Sequence, residues 1–397
     1  MAENKIRLGV IGAGAVVREI YQYLYFNSRY SKILEVSAVA EPNAEYREWF
    51  GNLAKLPANR RFASHKEMLA QTPLDAVQVN TPDHLHAGPT IDALNAGLHA
   101  VVPKPTAATV KDAHAMIEAA RKNQKFLGID FHKRDDPRIK EAEARYQSGR
   151  YGTLQSAVFY MLDKLMVVDP NHTPRFFASP DFAEKNTPVS FLTVHMADAL
   201  IKVVNLVPAQ VRAVAYSQKL PSLRPQPVKG YDLVDTEILF TNGALAHIIT
   251  GWALPNTAWA YTVQSSRMVC SDGMIDLGID SPGLLEIHPD GIFRVNPLFK
   301  NFNKDKSVTG YGITNPGEMY EQILSLMSGK EQSSILDTAL TPMALGFYTT
   351  LVLEAAEQSI HKGQPYAKGV TLGATVNLKQ VVADELGQDA PARYGLD

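Results

Sequence analysis

The sequence predicts an α/β protein, with a doubly wound parallel sheet at the N-terminus and a C-terminal α+β domain built on a large open, mainly antiparallel sheet. Two observations carry this. Up to about residue 130, short apolar strands alternate with segments of helical periodicity, which implies parallel pairing through right-handed crossovers. After about residue 150 strand-like segments follow one another with little room for helices between them, and Asn242-Gly243 and Asp272-Gly273 are two-residue hairpin signals.

Residues 5–11 read as the first strand, with Ile6, Leu8, Val10 and Ile11 apolar. Val16, Ile20, Tyr23 and Leu24 then share one helical face. Residues 33–40, 76–80, 98–102 and 125–130 read as further strands. Residues 90–95 are helical, with Gly97 suited to a left-handed stop. Thr109 caps a helix over 110–123, whose inward face is Ala113, Met116, Ile117 and Ala120. In the second part, 155–161, 211–217, 235–241, 244–254 and 259–270 read as strands, and 193–204, 317–327 and 344–360 as helices. The proline-rich stretch 220–229 reads as a surface loop. The division drawn from these patterns is 1–130 and 131–397.

At 397 residues the chain is long for one core and comfortable for two. Hydrophobic residues are 45% and charged residues 20%, which is ordinary globular composition. The balance of 39 basic against 41 acidic residues shows no footprint for nucleic acid or an anionic membrane. A single cysteine, Cys270, excludes an internal disulfide and reads as a buried strand thiol. No apolar run reaches the roughly 18 residues of a membrane span, and the first residues lack the layout of a signal peptide. The expectation is a soluble cytoplasmic protein with a small-molecule ligand.

Gly12-Ala13-Gly14-Ala15-Val16-Val17 follows the first strand and opens the first helix. Gly12 permits a tight turn, and Gly14 lets backbone N–H groups approach a pyrophosphate at the helix N-terminus. The third glycine of this Rossmann fingerprint is replaced by Val17, which predicts looser packing of helix on strand. Glu41 ends the second strand, where its carboxylate can hold the adenosine ribose hydroxyls and repel a 2′-phosphate. No arginine follows immediately, so NAD is expected rather than NADP. Residues 1–130 thus read as an NAD-binding domain, and the rest as a domain for substrate binding and oligomerisation.

Lys104 stands between Pro103 and Pro105 at the carboxyl end of a parallel strand, where this fold binds ligands. The two prolines are expected to hold its backbone extended. His195 lies near the start of a helix with Asp198 three residues on, and an imidazole there can take or return a hydroxyl proton. His84, His132 and His172 have no metal-ligand spacing, so no metal is expected.

Gly12-Ala13-Gly14, Thr81-Pro82-Asp83-His84-Leu85-His86, Lys104-Pro105, His195-Met196-Ala197-Asp198, Asn242-Gly243-Ala244 and the run 354–359 occur in one order along nearly the whole chain. That ordered set resembles the glucose–fructose oxidoreductase / inositol dehydrogenase / MocA (Gfo/Idh/MocA) family. The resemblance implies oxidation of a secondary alcohol on a sugar, cyclitol or sugar acid, or the reverse reduction. It implies that Lys104 orients the hydroxyl and that His195 is the acid/base. It also implies homodimers or homotetramers formed through the C-terminal sheet. Thr81, Pro82 and His86 are placed beside the nicotinamide ribose, joining Gly12, Ala13, Gly14, Ala15, Val16, Glu41 and Lys104 as cofactor-binding candidates. Lys133 and Arg134 resemble the family's basic residue facing the substrate. Tyr160, Asp163, Lys164, His172 and Arg175 surround a loop expected to cap the cleft, and Tyr160 and Arg175 join Lys104, Lys133 and His195 as substrate-binding candidates.

Two further departures from the family pattern matter. Pro103 stands where a glutamate is frequent before Lys-Pro, and Phe191 where an aspartate is frequent four residues before the histidine. Besides a dehydrogenase, two other readings are therefore carried. One is a redox-neutral NAD-dependent glycosidase, epimerase or lyase on the same scaffold. The other is a non-catalytic dinucleotide-binding sensor.

Overall fold

The computed structural model describes residues 5–176, 181–279, 284–288, 291–329 and 332–396. By its contacts the chain forms two units: residues up to Asp136 with Leu298–Phe347, and Pro137–Pro297 with residues from Tyr348 onward.

The first unit carries β1 (Ile6–Ile11), α1 (Gln22–Asn27), β2 (Leu34–Ala40), α2 (Ala44–Leu53), β3 (Arg61–Phe62), α3 (His65–Gln71), β4 (Ala76–Val79), α4 (Ala87–Asn95), β5 (His99–Pro103), α5 (Val110–Lys122) and β6 (Leu127–Asp130). All six strands are parallel, in the order β3-β2-β1-β4-β5-β6. The order reverses between β1 and β4, and the carboxyl ends there form the crevice in which such sheets bind ligands. Every residue of β4 and β6 is buried, as in sheets covered by helices on both faces. The Thr109 side chain caps α5 as expected. Helices α2 and α3, for which the sequence suggested no element, are capped by Asn43 and Ser64.

The sequence placed residues 298–347 with the second domain and the boundary at 130. In the structure these residues pack with the parallel sheet, and the boundary falls at Asp136. The reason is the helix Tyr311–Met327, whose Tyr320, Ile323 and Leu326 are buried. Tyr320 Oη donates to Gln78 Oε1 of β4 at 2.6 Å, and Asn315 Nδ2 donates to Asp135 at 2.9 Å. An apolar helix face says that it will be covered, not by which sheet.

The second unit contains α6 (Pro137–Gln147), β7 (Leu154–Lys164), α7 (Phe182–Lys185), α8 (Val194–Val204), β8 (Pro208–Tyr216), β9 (Leu233–Phe240), β10 (Leu245–Leu254), β11 (Thr262–Cys270) and β12 (Gly273–Gly278). The sheet order is β12-β11-β7-β10-β9-β8, extended past β8 by Val370–Leu372 and Gln364–Ala367. Pairing is antiparallel except that β10 runs parallel to β7. The Asn242-Gly243 turn joins β9 to β10 with Gly243 at φ +85°. Cys270 is buried at the end of β11, and burial raises its thiol pKa. Among the described residues no helix is long and apolar enough to cross a membrane.

Candidate active site

The turn after β1 is built as its glycines require. Gly12 has φ +88°, and a Cβ there would lie 2.7 Å from the Asn80 carbonyl oxygen. Asn80, just past β4, donates its backbone N–H to Ile11 O at 2.6 Å, which closes β1 and β4 around the turn. Gly14 faces open space, with nothing within 4 Å of its Cβ position, and Ala15 is exposed. Val17 is fully buried and begins a π-helical turn over Val17–Tyr21. A widened turn of this kind recurs at functional sites. It seats the larger side chain inside the core, in place of the looser packing expected from the missing glycine.

Glu41 lies at the end of β2 and is only 8% exposed. Its Oε2 accepts from Ala13 N–H and its Oε1 from Asn43 N–H, both at 2.8 Å. The carboxylate thus ties the glycine turn to the end of β2. Each oxygen still has a lone pair for a ligand hydroxyl. Arg47 spends Nη1 on the carbonyls of Glu41 at 2.6 Å and Pro42 at 3.2 Å. At the end of β4, Thr81 Oγ1 is buried without a hydrogen-bond partner, and Pro82 is exposed. An open glycine, a carboxylate with spare acceptors and an orphaned hydroxyl at the switch point together fit a dinucleotide.

Lys104 follows β5 directly. The backbone bends over residues 104–106, with a cis Lys104–Pro105 bond, where the sequence suggested an extended course. Burial lowers the Lys104 pKa against the pull of Asp83. His132 is pushed down to about 3 by burial, then by the charges of Lys133 and Lys104, so Lys104, His132 and Lys133 gather at one end of the sheet. The His132 ring lies 5.2 Å from Phe299 and 6.0 Å from Tyr311. Lys133 is only 4% exposed. Arg134 donates to the carbonyls of Ala344 at 2.6 Å and Met343 at 3.0 Å, anchoring the returning segment. His86 is fully buried, and both its ring nitrogens face main-chain carbonyls, those of Pro105 and Thr81. Its ring atoms are therefore occupied within the protein, where the sequence suggested a cofactor contact.

In the second unit a π-helical turn over Val189–Thr193 runs into α8, and His195 is half-buried in the first turn of that helix. Asp198 is buried and accepts from Thr349 Oγ1 at 3.2 Å. Thr193 Oγ1 is 2.7 Å from Thr250 Oγ1. The Phe191 ring packs at 5.2 Å from Phe182 and 5.8 Å from Trp252. Asp163 is buried, accepts from Thr262 Oγ1 at 2.6 Å, and is raised to about 6 by burial. Lys164 lies over the Tyr261 ring.

Tyr160 alternates with buried Phe159 and Met161 along β7 and so points to the other face of the sheet. There it lines a cavity of about 400 Å³ with Ser156, Val158, Ser265, Arg267 and Asp276. It does not share a sheet face with Asp163. Arg175 is exposed, and its Nε donates to Pro170 O at 3.3 Å. His172 Nδ1 is 2.9 Å from Pro174 O.

Residues 6–131 match the oxidoreductase family with an NAD-binding Rossmann fold. Over these residues the chain matches the Gfo/Idh/MocA family. It is 29% identical over 212 residues to a 1,5-anhydro-D-fructose reductase of Ensifer adhaerens, covering 53% of this chain and 60% of that one. The chain thus spans less than two thirds of that relative's length. An inositol 2-dehydrogenase of Corynebacterium glutamicum is 25% identical over 299 residues, 74% of this chain and 79% of the other. In fold, the chain resembles an inositol dehydrogenase homolog of Azotobacter vinelandii complexed with NADH and myo-inositol. The TM-score is 0.70 at 17% identity, covering 94% of this chain and 98% of that one.

The chain departs from the Gfo/Idh/MocA pattern at Phe191 for a visible reason. The position belongs to an aromatic cluster with Phe182 and Trp252, so an apolar ring is what its surroundings take. Asn80, Asp83 and Arg47 carry no motif of their own. Asp83 was legible only as part of Thr81-Pro82-Asp83, and Arg47 only as the first basic residue of the helix after Glu41.

Proposed function

We propose that this protein is an NAD-dependent oxidoreductase acting on a secondary hydroxyl of a sugar, cyclitol or sugar acid, or on the corresponding ketone. The observation that carries the reading is the partly buried Lys104 at the carboxyl end of β5, its pKa lowered, in the same unit as the glycine turn and Glu41. Bound NAD supplies the hydride acceptor. Gly12, Gly14 and the N–H groups of 14–16 seat the pyrophosphate, and Glu41 holds the adenosine ribose. Glu41 also disfavours a 2′-phosphate by charge repulsion, and Arg47 spends its Nη1 on main-chain carbonyls. The Lys104 ammonium donates a hydrogen bond to the substrate hydroxyl and so orients it. A ring nitrogen of His195 takes the hydroxyl proton in oxidation and returns it in reduction. The reductase and inositol dehydrogenase among the relatives support a polyhydroxylated ring as substrate.

The sheet face of the second unit that carries Val158, Leu245 and Val269, each about two-fifths exposed, is the surface through which copies of the chain associate. Light scattering of the intact protein tests this, and a monomer at micromolar concentration would refute it.

The activity is tested by following nicotinamide absorbance with inositols, aldoses, sugar acids and their keto forms, with Lys104→Ala as the control. NADH formation on one polyol class, lost in Lys104→Ala while NADH still binds, is the expected result. Undiminished turnover in that variant would overturn the assignment of Lys104.

A further inference from the structure

His86 is the buried titratable group that this chemistry does not use. It is 0% exposed, and its ring spans two loops of the first unit. Nδ1 lies 2.9 Å from the carbonyl oxygen of Pro105 and Nε2 lies 3.0 Å from that of Thr81. A carbonyl oxygen only accepts, and a neutral imidazole has one N–H where an imidazolium has two. Satisfying both contacts therefore takes the doubly protonated ring. With a single proton, one ring lone pair faces a carbonyl lone pair at hydrogen-bond distance, and that contact is repulsive. The backbone of His86 is itself held, since its carbonyl accepts from Thr90 Oγ1 at 2.7 Å in α4.

The two carbonyls are not arbitrary. Pro105 follows Lys104 in the bend after β5, and Thr81 follows β4 with its orphaned hydroxyl. We propose that His86 is the positioning residue of Lys104: by donating from both ring nitrogens it pins the bend after β5 to the segment after β4, and so sets where the ammonium stands. The inference rests on the reading of Lys104 as the hydroxyl-orienting group. A lysine on a bend with a four-carbon stem has many placements, and orientation of a reacting hydroxyl tolerates only about half an ångström. A two-point tether fixes the main chain beside Lys104, and with it the point from which that stem starts.

The charged groups acting on the ring are few. Burial pulls the imidazole below its ordinary value, while Asp83 and the carbonyls of Pro105, Thr81 and Thr106 oppose that pull. Asp83 also acts on Lys104, so the two cations share one counter-charge. Below the midpoint of His86 both loops are tied. Above it one N–H is gone and one loop is released, and Lys104 must register the change.

The test is nuclear magnetic resonance of the intact protein carrying ¹⁵N-histidine and ¹³Cε-lysine, titrated across the pH range in which it stays folded. The Lys104 signal is assigned by its loss in Lys104→Arg. The His86 signal is assigned through ring contacts to Thr81 and Pro105. The expected result is two ring N–H protons on His86 at the acid end. Loss of one is then accompanied, at the same midpoint, by movement of the Lys104 signal. In His86→Gln, whose two amide hydrogens sit on one nitrogen and cannot bridge the carbonyls, that step in the Lys104 signal disappears. The Lys104 titration also moves upward toward exposed lysines, while NADH, read by fluorescence, binds within about threefold of the unaltered protein. A His86 with one proton at every pH, or a Lys104 signal blind to its ionisation, would overturn the proposal. Neither readout needs the substrate, so failure of the polyol assignment shows separately, as turnover that survives Lys104→Ala. If His86→Gln does not fold, the titration of the unaltered protein decides alone.

Discussion

Replacing Glu41 by alanine separates two jobs of one carboxylate. In the structure it accepts the buried Ala13 N–H and the less buried Asn43 N–H, both at 2.8 Å. Without it the Ala13 donor is left buried and unpaired, at a cost of about 1–3 kcal/mol, whereas the Asn43 donor regains water. A net loss near 2 kcal/mol lowers the melting midpoint of the cofactor-free protein by roughly 4–8 °C for a unit of this size. Each bond from a ribose hydroxyl to the carboxylate contributes about 1.5–3 kcal/mol, so NADH affinity falls roughly 10- to 100-fold for every such bond lost. NADPH affinity falls less, because the repulsion of its 2′-phosphate goes with the charge. Scanning calorimetry reads the first effect, and fluorescence titration with NADH and NADPH reads the second. An unchanged NADH/NADPH ratio would remove Glu41 from the ribose site. An unchanged melting midpoint would refute its role in anchoring the glycine turn.

The two glycines of that turn should respond oppositely. Gly12→Ala forces a side chain to φ +88° against the Asn80 carbonyl and costs about 2 kcal/mol or more of stability. Gly14→Ala meets only open space, so it leaves the melting midpoint in place and weakens NADH binding. Asp130, raised to about 7 by burial while accepting from Tyr21 Oη, stabilises the fold when protonated. That contribution is complete below about pH 4, the unfolded value, and is lost as pH rises through about 7. Asp130→Asn should therefore gain on the unaltered protein in denaturant titrations as pH rises from 4 to 8, and a pH-independent difference would refute the burial argument. Phe191→Asp places a carboxylate among Phe182 and Trp252 and should cost about 3 kcal/mol or more without raising turnover. A stable, more active variant would show that the aromatic cluster is dispensable.

Local patterns made much of the first unit legible. The Gly12-Ala13-Gly14 turn, Glu41 at the end of a strand and Lys104 after another each depend on residues near in sequence, and the parallel sheet placed them at its carboxyl ends. The hairpin at Asn242-Gly243 was legible for the same reason, since a two-residue turn carries its own signal. Tyr160 was not. A period of two says that it alternates with Phe159, but only the helices packed on the sheet decide which face is inward. His86 was visible as part of a motif, but its occupation by two carbonyls 5 and 19 residues away was not.

By itself, then, the sequence determined the two kinds of sheet, the glycine-rich turn after β1 and the place of Lys104 at a strand end, because periodicity, turn chemistry and strand ends are properties of neighbouring residues. Only the tertiary structure decided that residues 298–347 return to the first unit, that β10 runs parallel to β7, and that Phe191 belongs to an aromatic cluster. It alone decided that Glu41, expected to hold the adenosine ribose, also braces the glycine turn. Each of these depends on which distant surface satisfies a buried apolar face or an unpaired polar atom. A chain states that need locally and meets it at a distance.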